Sequence, residues 1–124
     1  MSEASFIFVE SAQPSQPNMP EVFHLPKLKG YDVFEISVDE IQHLYSSYAF
    51  TSSDYTRFCL NRIQAVDPYL EAVIETNPDA LTIAKDLDGE RKRGKSRGPL
   101  HGIPVLVKDV GTVYLSSMHF YRAP

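Results

Sequence analysis

Lys108 stands at the end of the apolar run Ile103-Pro104-Val105-Leu106-Val107, entered from the turn-rich stretch Arg97-Gly98-Pro99-Leu100-His101-Gly102. A short apolar run bounded by glycines and prolines has the pattern of a buried strand. A lysine at its end has two readings. Its ammonium can snorkel into water and guard the strand edge, or its amine can be held in a dry place and used as a base. The second use needs surroundings that favour the neutral amine, because a free lysine has a pKa of ~10.4 and is charged at neutral pH.

Other groups with chemical potential read differently. Gly89-Glu90-Arg91-Lys92-Arg93-Gly94-Lys95-Ser96 matches the phosphate-loop pattern G-x-x-x-x-G-K-[ST] letter for letter. That loop works by following a buried strand and opening a helix whose positive end helps to hold phosphates. Here a helical pattern precedes it and Arg97-Gly98-Pro99 follows, so the match reads as coincidence. The four histidines (His24, His43, His101, His119) show no metal-ligand spacing, and with the single cysteine Cys59 no zinc site is expected. His101, just before the apolar run, reads as a group that hydrogen-bonds the loop shut rather than as a ligand.

Three helices and a strand lead up to this region. Ser37-Val38-Asp39-Glu40 is a capping box flanked by Ile36 and Ile41 as a hydrophobic staple, and Val38, Ile41, Leu44, Tyr45 and Tyr48 follow at helical spacing. Thr51-Ser52-Ser53-Asp54 opens a second helix with Tyr55, Phe58, Cys59, Ile63 and Val66 on one face. Pro68 predicts its end at Asp67. Leu70, Ala72 and Ile74 then alternate with Glu71 and Glu75, which predicts a short half-buried strand. Asn77-Pro78-Asp79 starts a third helix through Leu81, Ala84 and Leu87, with Gly94 as its C-terminal cap.

Composition bounds the function. The 124 residues are 43% hydrophobic and 23% charged, enough for one small domain. Pro14, Pro17 and Pro20, with the surrounding Ser, Gln and Asn, mark residues 1–30 as a flexible or loosely docked arm. No apolar run approaches the ~20 residues of a membrane span, and the start lacks the basic region of a secretory signal. One cysteine permits no internal disulfide, so a reducing, cytoplasmic location is expected. Between Lys85 and Arg97 six basic residues face three acidic ones, a local excess on a chain of net charge −4. Without interleaved aromatics this reads as a solvated helix end rather than a nucleic-acid surface.

Gly98-Pro99-Leu100-His101-Gly102-Ile103-Pro104-Val105-Leu106-Val107-Lys108-Asp109 resembles the opening catalytic motif of the amidase signature family, and the preceding helices resemble that family's N-terminal region. The resemblance covers about residues 31–109, an incomplete amidase domain, and leaves 110–124 as a divergent tail. It implies an α/β fold with the N-terminal helices packed on a fragment of the family's mixed sheet. It also implies hydrolysis of carboxamide C–N bonds by a Ser–Ser–Lys mechanism, with Lys108 as the base, a small-molecule amide as substrate and neither metal nor organic cofactor. In that mechanism a neutral lysine takes a proton from a bridging serine, which deprotonates the nucleophilic serine. Backbone N–H groups stabilise the oxyanion formed on attack, and water later hydrolyses the acyl-enzyme.

The family's two serines lie far downstream of the lysine. Ser116 and Ser117 follow Lys108 by only eight and nine residues, outside any Gly-rich context, and are not assigned that role. The chain is therefore expected to be a truncated piece, inactive by itself, with self-association through its exposed strand. Two alternatives stand beside this reading. One is the amidase subunit of a glutamine-dependent transamidation complex; the other is a non-enzymatic product that binds or competes with the full-length protein.

Overall fold

The computed structural model describes residues 20–108. A single 3-10 turn (Glu21–Phe23) is followed by α1 (Val38–Ser46), α2 (Ser52–Leu70) and α3 (Ala80–Lys92). Residues 1–19 and 109–124, including most of the expected arm and the tail with Ser116 and Ser117, lie outside the described residues.

The expected capping box at the start of α1 forms, and a second one forms at the expected start of α2. The Ser37 hydroxyl accepts from the Glu40 N–H at 3.2 Å while the Glu40 carboxylate accepts from the Ser37 N–H at 2.9 Å. Thr51 and Asp54 repeat the exchange at the start of α2. The end of α3 is a Schellman motif. Gly94, at φ +72°, donates its N–H to the Arg91 carbonyl, and Lys95 donates to that of Glu90.

The core is small and aromatic. Leu28, Val33, Ile41, Tyr45 and Phe50 form the buried cluster, with Leu25, Ile36, Leu44, Tyr55, Phe58 and Ile103 packed around it. Phe50 meets Tyr45 edge-on at 5.7 Å and lies 5.9 Å from Tyr55. Such pairs add about 0.5–1.5 kcal/mol beyond the area they bury. The last part of the expected arm is docked on the helices. Leu25 and Leu28 pack into the core, Phe23 meets Tyr69 edge-on at 5.6 Å, and Arg62 donates to the Val22 carbonyl.

Three sequence expectations fail. α2 runs through Pro68 to Leu70, past the expected stop at Asp67. The proline sits in the last turn, and the helix ends where Glu71 turns left-handed at φ +47°. The segment around Leu70–Ile74 then forms no strand. Asp67 Oδ1 accepts from the N–H groups of Ala72 and Val73 at 2.8 and 2.9 Å, so donors a ladder would use are already engaged. Val105–Val107 is not a strand either. Among the described residues no strand is present, and the one isolated bridge pairs Leu28 with Tyr31. The described part of the chain is helical, and the expected mixed sheet is not part of it.

Two outcomes are expected. Ser37 holds the Glu40 carboxyl below its usual range, and Arg97 does the same for Glu90. Burial opposes ionisation of Asp54, but Lys29 at 2.6 Å and Thr51 outweigh it and lower its carboxyl too. Stabilisation from depressed carboxyls is present above their ordinary values of about 4 and disappears as pH falls through the lower folded-state values. The melting temperature should hold from pH 7 to about 5 and fall below about pH 4, less steeply after Glu40→Gln. Val105, Leu106 and Val107 are 62%, 77% and 64% exposed. Sedimentation should therefore show concentration-dependent association that Leu106→Lys reduces.

Candidate functional site

The loop from Arg97 to Pro104 connects α3 to the apolar segment that carries Lys108, and all three helices grip it. From α1, Gln42 donates its amide to the carbonyls of Pro99 at 2.7 Å and His101 at 3.0 Å. Also from α1, the Tyr45 hydroxyl donates to the Gly102 carbonyl at 3.0 Å. From α2, the Ser52 hydroxyl donates to that same carbonyl. From α3, Arg91 reaches the Gln42 side-chain oxygen at 2.7 Å and the His101 carbonyl at 3.0 Å, with its guanidinium 5.2 Å from the centre of the Tyr45 ring.

His101 closes the loop from inside. It is 5% exposed, its Nδ1 accepts from the Arg97 N–H at 3.2 Å, and its Nε2 lies 2.9 Å from the Leu87 carbonyl. A backbone N–H can only donate, so Nδ1 is the acceptor and Nε2 carries the hydrogen bonded to Leu87. With both nitrogens engaged, His101 is structural, as its place in the sequence suggests. Arg97 in turn forms a two-pronged pair with Glu90.

The backbone at Gly102 leaves no room for a side chain. Its φ is +78°, and a Cβ there would meet Ser52 Cβ and Oγ at 3.0 Å. The close approach is what lets the Ser52 and Tyr45 hydroxyls reach one carbonyl. Burial pushes the Tyr45 phenol well above its usual range, so it remains a proton donor.

A second carboxylate caps α2 from outside the helix. Asp88 of α3 accepts from the Ser52 N–H at 2.8 Å and the Ser53 N–H at 3.0 Å, and also from the Ser53 hydroxyl. Negative charge at a helix N-terminus satisfies free N–H groups and suits the helix dipole. It also fixes α2 to α3, so Ser52 and Arg91 approach the loop from one rigid pair.

Lys108, the one catalytic residue expected from sequence, is exposed at the far end of this loop. The phosphate-loop match does not form such a loop, because residues 89–92 belong to α3 and no helix opens at Lys95. Cys59 is no ready nucleophile, since burial pushes its thiol up to about 11. Among the described residues, no group of three His, Cys, Asp or Glu side chains could hold a metal ion. The residues that sequence reasoning missed are Gln42, Tyr45, Ser52, Asp88 and Arg91. Arg91 had read as part of a solvated basic helix end, whereas its guanidinium is committed to the loop and the Tyr45 ring. No local signal marks these residues, because the Gln42, Tyr45 and Ser52 bonds to the loop join positions 50 to 59 residues apart.

The amidase family model matches residues 54–115, half of the chain. The chain belongs to the amidase family. An amidase relative from Schizosaccharomyces pombe is 40% identical over 92 residues, which is 74% of this chain and 16% of the relative. A subunit of the glutamyl-tRNA(Gln) amidotransferase from Chloroflexus aurantiacus is 36% identical over 80 residues, 64% of this chain and 16% of that protein. The solved peptide amidase of Stenotrophomonas maltophilia superimposes with a TM-score of 0.55 at 46% identity, covering 56% of this chain and 15% of the enzyme. This amidase chain thus spans less than a fifth of the length of the curated relatives it matches. The matched region contains α2 from Asp54 onward, α3, the gripped loop and Lys108.

Replacing Gly102 with Ala should be costly. The left-handed backbone alone costs a side chain roughly 1–2 kcal/mol, before the clash with Ser52. We expect Gly102→Ala to lower the melting temperature by about 4–8 °C or more. Gly89→Ala, inside α3 with only the flexible Arg93 side chain nearby, should leave it unchanged or raised.

Proposed function

We propose that this segment serves an amidase-type hydrolysis of carboxamide C–N bonds, and that Lys108 is its base. The observation that carries the proposal is the family match, which runs through the lysine and the loop that leads to it. The 46% identity to the peptide amidase supports the same reading. The remainder of an amidase domain would supply the bridging and nucleophilic serines. There Val105–Val107 would enter the mixed sheet as a strand buried on both faces, which accounts for three exposed apolar side chains in succession.

In the proposed reaction a neutral Lys108 amine accepts the proton of the bridging serine, and that serine takes the proton of the nucleophilic one. The nucleophile's oxygen bonds to the amide carbon, the C–N bond breaks, and the departing amine leaves with the proton relayed back. Water then cleaves the acyl-serine ester. The lysine can play this part only where burial or neighbouring polar groups favour its neutral form, so the walls around it must come from the rest of the domain. A cytoplasmic setting belongs to this proposal, supported by the single cysteine. Among the described residues, no helix is long and apolar enough to cross a membrane.

A second reading rests on the amidotransferase relative from Chloroflexus aurantiacus. On that reading the same chemistry acts on glutamine and releases ammonia inside a transamidation complex. The two readings share Lys108 and differ in substrate.

The test places residues 20–108 of this chain in the corresponding region of the Stenotrophomonas maltophilia peptide amidase and assays amide hydrolysis. Lys108→Ala should lower turnover at least a thousandfold with the melting temperature preserved, and Lys108→Arg should not rescue it, because a guanidinium stays protonated. Near-normal turnover of a folded Lys108→Ala protein would make the lysine structural. Activity on glutamine in preference to peptide amides would favour the second reading.

A further inference from the structure

The path from α3 to Lys108 passes one point at which the chain cannot pivot. The Gly102 carbonyl has two lone pairs, and the Tyr45 and Ser52 hydroxyls occupy them from different helices. Both donors are 2% exposed, so water does not compete. Because a peptide unit is planar, holding this oxygen also aims the Ile103 N–H, which donates to the Leu100 carbonyl at 3.1 Å. Ile103 packs against the core, and Pro104 has a locked φ while restricting the residue before it.

We propose that Tyr45 and Ser52 are positioning residues for Lys108, acting through the Gly102 carbonyl. The proposal rests on the reading of Lys108 as the base. From Gly102 to Lys108 an extended chain spans roughly 20 Å, so a tilt of ~5° at the anchor displaces the lysine by about 2 Å. A base must lie within about 3 Å of the proton it accepts, and a 1 Å misplacement can cost about a hundredfold in rate. Two hydroxyls on one carbonyl resist that tilt in two directions where one would leave a hinge. Gln42 and Arg91 hold the Pro99 and His101 carbonyls of the loop and leave this exit vector to Tyr45 and Ser52.

Tyr45→Phe and Ser52→Ala each remove one hydroxyl and little else. In the 124-residue chain, hydrogen exchange of the Ile103 amide should accelerate at least tenfold in each variant, while amides inside α2 and α3 change less than twofold. In the peptide-amidase host, each variant should lower kcat at least tenfold with KM within about twofold, and Leu28→Ala, a core change matched for stability loss, should leave kcat near normal. Unchanged Ile103 exchange overturns the proposal. So does unchanged kcat in a host where Lys108→Ala abolishes turnover, and in that case the base reading survives. Near-normal turnover of Lys108→Ala removes the base and this proposal together.

Discussion

The buried carbonyl of Gly102 is the constraint around which the rest of the described structure is arranged. It has no backbone partner, so leaving it bare in the interior would cost a few kcal/mol. Two hydroxyls answer that cost, and each belongs to a residue whose own helix must be in place first. Tyr45 is held by Phe50 on one side and the Arg91 guanidinium on the other. Ser52 is the first residue of α2, and its N–H is tied to Asp88 of α3. A displacement of any helix therefore exposes one buried polar group. No buried side-chain nitrogen or oxygen among the described residues lacks a partner.

Polar bonds carry much of the specificity because the apolar core is small. Among the described residues six hydrophobic side chains are buried, five of them in one cluster beside α1. Aromatic contacts give that cluster mass, but aromatics pack in several arrangements. What selects one arrangement is the set of directional bonds around it: Asp88 on the α2 N-terminus, Gln42 on two loop carbonyls, and the doubly bonded His101 ring. Glycine completes the set at position 102, where even a methyl group would separate the loop from Ser52.

The functional reading and the fold meet at the far end of that loop. The family match joins this chain to enzymes several times its length, and the exposed run Val105–Val107 lies where such a domain would continue. A base on a lysine stem needs a dry, shaped surrounding, which the three helices do not form around Lys108. They supply the fixed point from which its segment departs. On the proposed reading, the three helices fix the segment upstream of the lysine, and the rest of an amidase domain supplies its chemical environment.

Sequence alone determined the starts of α1 and α2 and the end of α3, because these depend on residues within a few positions of one another, whereas α3 begins at Ala80 rather than at Pro78, with Asn77 engaged by the Asp79 N–H instead of capping the helix. A capping box closes over four residues, a Schellman turn over six, and the motif around Lys108 over twelve. It failed at Pro68 and at Leu70–Ile74, where local preference was overridden. The proline was absorbed into a helix's last turn, and the Asp67 carboxylate took the N–H groups that an alternating pattern would have offered to a neighbour. Only the tertiary structure decided that Arg91 turns inward onto Tyr45, that Asp88 caps a helix other than its own, and that Ser52 and Tyr45 share one carbonyl. These pairs lie tens of residues apart, and nothing in the local spacing of a serine, a tyrosine or an arginine encodes a partner that only packing brings near. Whether Val105–Val107 becomes a strand is of the same kind, since a strand is a property of a pair and its partner is not among residues 20–108.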